Sequence, residues 1–133
     1  MRLGIEPLVA GLAAQRAKAG DVARLEKNLR AVPGVPGSDE YVAWNVDFHR
    51  VLAKAAHNPM YEILINILMD FTEEMILKLK PSERVLHDTT SHPEFLEIVR
   101  RRDAKRATEK MRSHLRDIVP ILEELEKKSG IPG

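Results

Sequence analysis

The feature that most constrains this chain is the period of its apolar residues, which stays near 3.6 from end to end. Ile5, Leu8, Val9 and Leu12 recur at helical spacing, as do Ile63, Leu64, Ile67, Leu68, Phe71 and Met75. No window alternates apolar and polar residues as a half-buried strand does. Each segment therefore has to bury a stripe against other helices. With short connections, the packing that results is an all-α antiparallel bundle of six to seven helices.

Punctuation residues divide the bundle. A first helix is expected over residues 3–19, broken by Gly20, and a second from an Asp21 N-cap to about residue 31. Pro33-Gly34-Val35-Pro36-Gly37 reads as a loop, and Ser38 caps a third helix reaching about His57. Asn58-Pro59 is a restart signal, an N-cap residue followed by proline at the first helical position. The fourth helix, residues 60–80, is apolar over a broad face, which places it centrally. Residues 82–90 read as a loop or short helix. Ser91 and Glu94 fit a capping box for a helix ending near Arg102. Asp103 caps a last helix over residues 104–127, with a kink at Pro120 and Gly130 beyond it.

The length, 133 residues, suits one domain over residues 1–133. A formal charge of +1, from 21 basic and 20 acidic side chains, gives no reason to expect a nucleic-acid or membrane surface. The chain has no cysteine, so disulfides and thiolate metal sites are excluded. Any metal has to be held by histidine, carboxylate or amide oxygen. No apolar run approaches the ~18 residues of a membrane span, and no signal-peptide pattern opens the chain. A cytoplasmic location is expected.

The candidate chemistry rests on histidine. Of the five, His49 lies among Phe48, Val51 and Leu52, with Asn45 one turn earlier on the same face; Asp47 points to roughly the opposite side. His114 falls on or beside the inward stripe of Ala107, Met111, Ile118 and Leu122, and His92 opens the preceding helix. Three histidines from three helices can meet inside a bundle, where metal sites are commonly built. His57, closing a helix, and His87, in a polar stretch, read as structural. Arg100-Arg101-Arg102 reads as a solvated helix end rather than a nucleic-acid patch. The chain lacks His-Glu-x-x-His, a Glu-x-x-His pair, a phosphate-binding glycine loop and Gly-x-Ser-x-Gly.

Several fragments together resemble one family. They are Arg2-Leu3-Gly4-Ile5-Glu6 with Leu12-Ala13-Ala14, then Asn45-Val46-Asp47-Phe48-His49 with Ala55-Ala56-His57-Asn58-Pro59. His92, Asp103, Ala107, Met111 and His114-Leu115 follow in order. The series resembles the FCD domain, the C-terminal effector-binding domain of FadR-type GntR transcription regulators. The resemblance implies a helical bundle around a ligand cavity, with a divalent metal held by Asn45, His49, His92 and His114. Zinc, nickel or manganese is the expected ion. It also implies a small carboxylate or sugar-acid effector near Arg2 and a homodimer. DNA contact would come only through an N-terminal winged-helix domain outside this chain. Asn45 stands where the family pattern has Asp. A neutral amide beside three neutral imidazoles leaves a dication its full charge, which strengthens its pull on an anion and weakens its own retention.

The function expected is therefore ligand sensing without turnover. The alternative is a metal-dependent enzyme of helical-bundle fold acting on a small carboxylate. A helical interaction module with satisfied core histidines is the third reading.

Overall fold

The structure, a computed structural model, describes residues 2–80, 84, 91–116, 120, 123, 124 and 127. Among these are six helices and no strand: α1 (Arg2–Arg16), α2 (Ala19–Arg30), α3 (Asp39–Lys54), α4 (Pro59–Leu77), α5 (His92–Arg100) and α6 (Ala104–Arg116). The expected all-α bundle is what forms. Apart from residue 84, the expectation for residues 82–90, including His87, lies outside the described residues, as do Gly130, Ile118 and Leu122. The kink expected at Pro120 depends on neighbours that also lie outside them.

The most extensive helix contact is between α1 and α6. Gly11 makes it close: a β-carbon there would meet Thr108 Oγ1 at 2.5 Å and the Ala104 carbonyl oxygen at 3.4 Å. From α1 the core takes Val9, Ala10, Ala13 and Ala14, and from α6 Ala107, Met111 and Leu115. Helix α3 lies between α2 and α4 and adds Val42, Val46, Phe48 and Leu52. Small residues on α1 let these backbones approach, and that brings α1, α3 and α6 around one interior.

Helix α4 is not central, contrary to its broad apolar pattern. It packs chiefly on α3 through Ile65, Met69, Thr72, Met75 and Ile76. Met60, Ile63, Leu64 and Ile67 stay exposed. One face of the helix suffices to cover α3, and hydrophobicity all round does not by itself say that both faces are covered.

The caps are partly as expected. Ser38 Oγ accepts from the Tyr41 N–H, and Asn58 Oδ1 accepts from the Met60 and Tyr61 N–H groups. Asp103 Oδ1 accepts from the Arg106 N–H. The junction of α1 and α2 differs. The break falls at Ala17 and Lys18, Gly20 lies within the first turn of α2, and Asp21 is the third helical residue rather than the N-cap. Its carboxylate accepts from the Lys18 N–H at 2.8 Å, the bond by which the third helical residue of a capping box reaches back to the N-cap backbone. The α3 helix stops at Lys54, short of His57. His57 itself adopts a left-handed φ of 51°, the position where glycine or asparagine commonly ends a helix. What holds it there is Asp21, whose Oδ2 lies 2.6 Å from His57 Nε2.

Asp21 thus ties the start of α2 to the α3–α4 corner, and Arg24 completes its shell at 2.6 Å. Burial alone would raise its carboxyl pKa; the Lys18 N–H, His57 and Arg24 override this and hold it below the usual value. A depressed folded-state pKa stabilises above the unfolded value of about 3.9 and is lost as pH falls through the folded one. Asp21→Asn is expected to lose about 1.5–3 kcal/mol near neutrality. Urea titrations should show the gap between wild type and variant closing below about pH 4; a gap constant down to acid pH would refute the assignment.

The arginine run is used within the fold. Arg100 pairs with Glu26 of α2, and Arg101 with Glu97. Arg102 donates to the carbonyls of Gln15 and Ala17, at and just beyond the C-terminal end of α1, where a cation suits the helix dipole.

Candidate metal centre

Helices α3, α5 and α6 bring His49, His92 and His114 together in the interior, and one ring nitrogen from each lies within 4.8 Å of the others. Their exposures, 3%, 0% and 6%, mark core positions. Each arrives there by helical phase. His49 follows Val42, Asn45 and Val46 on the buried stripe of α3, and His114 follows Ala107 and Met111 on that of α6. His92 is the first residue of α5, where Pro93 helps start the helix.

The surroundings orient the rings. His92 stacks on Phe48 with ring centroids 3.9 Å apart and planes 9° off parallel, and Trp44 lies 5.4 Å away on centroids. Trp44 is fixed by its own Nε1–H, which donates to the Asn28 carbonyl. Neither ring nitrogen of His92 has a hydrogen-bond partner among the described residues. Burial, and then the nearness of His49 and His114, push its pKa down to about 2. The ring is neutral, the form that ligates metal.

Ser91 was expected to cap α5 in a box with Glu94. Its side chain makes no capping bond; Oγ lies 2.8 Å from His114 Nδ1 instead. Ser91 is buried, and its backbone is already helix-like, so the hydroxyl faces the interior rather than the helix end. With Nδ1 engaged by Ser91, a metal bond from His114 would come from Nε2.

Asn45 is 5% exposed one turn before His49, and its Oδ1 has no partner among the described residues. Asp47, set aside on phase, is exposed. Arg2 is buried, and its Nε lies 2.5 Å from Glu6 Oε2, while its Nη1 has no partner among the described residues. The other oxygen of Glu6, Oε1, lies 2.6 Å from His49 Nδ1. Burial alone would raise the Glu6 carboxyl; the Arg2 charge, and after it His49, hold it well below the usual carboxylate range. Sequence reasoning left Glu6 out, although it follows Arg2 by one helical turn on a face that continues through Val9, Ala10 and Ala13.

These residues fit a divalent ion. Two ring nitrogens of His92 and an amide oxygen are buried without partners, an expensive arrangement unless something binds there. Imidazole nitrogens with an oxygen donor suit zinc, nickel or manganese.

The comparisons with known proteins agree with the residue series. The FCD domain profile matches residues 1–117. The chain belongs to the FCD domain family. Among curated proteins, the FCD chain is 26% identical over 134 residues to the HTH-type transcriptional repressor NanR of Edwardsiella tarda (strain FL6-60), covering 98% of the chain and 52% of that protein. The NanR repressor of Cronobacter sakazakii (strain ATCC BAA-894) is 26% identical over 132 residues, covering 96% of the chain and 51% of the relative. That of Salmonella newport (strain SL254) is 27% identical over 137 residues, covering 97% and 51%. The chain spans about half the length of these curated relatives. No solved structure matches it significantly.

Proposed function

We propose that this FCD domain is the sensing part of a bacterial transcription regulator. It holds a divalent ion with His49, His92 and His114, assisted by the Asn45 amide oxygen. The observation that carries the reading is His92, a neutral imidazole in the core with both nitrogens unpartnered, beside two more buried histidines from other helices. When bound, the ion supplies a fixed positive charge that attracts an anionic ligand. A small carboxylate or sugar acid is the effector class that this charge and the open Nη1 of Arg2 select. A surface hollow lined by Asp70, Phe71, Glu73, Glu74 and Leu77 has the wrong charge for such a ligand.

The residues support binding rather than turnover. Glu6, the carboxylate at the cluster, is held by Arg2 on one oxygen and faces His49 with the other, which leaves it poorly placed to activate a water. The relatives are named as HTH-type repressors. Our reading is that effector binding here alters how a DNA-binding segment of a longer protein holds its operator. A homodimer fits that role, because such regulators read paired half-sites.

Thermal shifts of the metal-stripped chain, with zinc, nickel or manganese and then a panel of small acids, test this. A matching ion at a hundredfold excess over its dissociation constant should stabilise the fold by about 2.7 kcal/mol, and an acid should add to that. If wild type and the His49→Ala/His114→Ala variant carry equally little metal, the site assignment is wrong.

A further inference from the structure

We propose that Glu6 is a positioning residue of the metal centre, supplying through His49 the negative charge that Asn45 withholds from the ligand set. This rests on the metal reading above. Glu6 Oε1 lies 2.6 Å from His49 Nδ1, so in the metal reading the ligating nitrogen of this ring is Nε2. A carboxylate on the far nitrogen of a ligating histidine fixes its tautomer and makes it a more basic donor. Such a partner counts for more here than in a site with an acidic ligand, because the candidate donors are imidazoles and an amide, with no carboxylate among them. The carboxylate is also preorganised. Arg2 grips its second oxygen from one turn earlier on α1, and both side chains are buried. The charge therefore reaches the centre from a helix that contributes no ligand of its own.

A structural role for the Arg2–Glu6–His49 chain predicts a different pattern, and zinc titration separates the two. Calorimetry with a competing chelator would compare the wild-type 133-residue chain with Glu6→Gln, Asn45→Asp and the Asn45→Asp/Glu6→Gln pair. Glu6→Gln should weaken zinc binding by roughly tenfold to a hundredfold. Asn45→Asp should tighten it in wild type and, in the Glu6→Gln background, restore what was lost. The Arg2→Gln/Glu6→Gln variant removes both charges together and leaves neither stranded. It should show the same weakening, and it serves if Glu6→Gln alone does not fold. Wild-type zinc affinity in Glu6→Gln or in Arg2→Gln/Glu6→Gln would overturn the proposal and leave the metal site standing. So would a loss that Asn45→Asp does not repair. A wild-type chain that binds no zinc, nickel or manganese would instead overturn the metal reading and this proposal with it.

Discussion

Replacing Arg2 with methionine should destabilise the metal-free protein by about 3–5 kcal/mol, the usual consequence of removing one partner of a buried ion pair. The side chains of Arg2 and Glu6 are 8% and 3% exposed, so the pair has little access to water. Arg2 is the strongest influence holding the Glu6 carboxyl ionised against its burial. Without the guanidinium, Glu6 has to be protonated in the interior, to rely on His49, or to drag water inwards. For a chain of this size the loss should lower the melting temperature by about 10 °C or more. The measurement is urea and thermal unfolding in the presence of a chelator. Arg2→Met/Glu6→Leu, which leaves no charge behind, should recover most of the stability, since an apolar pair of similar volume commonly replaces a buried ion pair at little cost. If Arg2→Met alone lies within about 1 kcal/mol of wild type, the pair does not hold this end of α1 as described.

His92→Leu should behave in the opposite sense. Leucine matches the imidazole roughly in volume and carries no polar atom. In the metal-free protein it relieves two buried nitrogens that lack partners, each a burden of about 1–3 kcal/mol. Against that stands the lost stacking on Phe48, worth about 0.5–1.5 kcal/mol. The chelated variant should be at least as stable as chelated wild type, yet show none of the stabilisation by zinc, nickel or manganese. A residue retained at the expense of stability is the mark of a binding site. A variant that melts several degrees lower without metal, or still responds to the ion, would show that His92 is an ordinary packed histidine.

Much of this was legible in the residues because it is local. Ser38, Asn58-Pro59 and Asp103 announce helix starts, since a cap is a bond between neighbours in sequence. The phase of His49 and Asn45 on α3, and of His114 on α6, follows from 100° per residue. Asp47 could be set aside on the same ground. The places where reading failed involve partners distant in sequence. Asp21 looks like an N-cap until His57 comes to meet it. Ser91 looks like half of a capping box until His114 takes its hydroxyl. The apolar pattern of α4 gave no sign that one of its faces would stay exposed.

The sequence by itself determined the helical architecture, the family and the three histidines, because periodicity, caps and residue type are properties of short windows. Tertiary structure alone decided that these histidines converge and that Glu6 stands behind His49 with Arg2 holding it. It also decided that Ser91 serves the interior rather than its own helix. The physical reason is that burial and electrostatics depend on which helices meet. Here the small residues of α1 let α1, α3 and α6 close around a common interior.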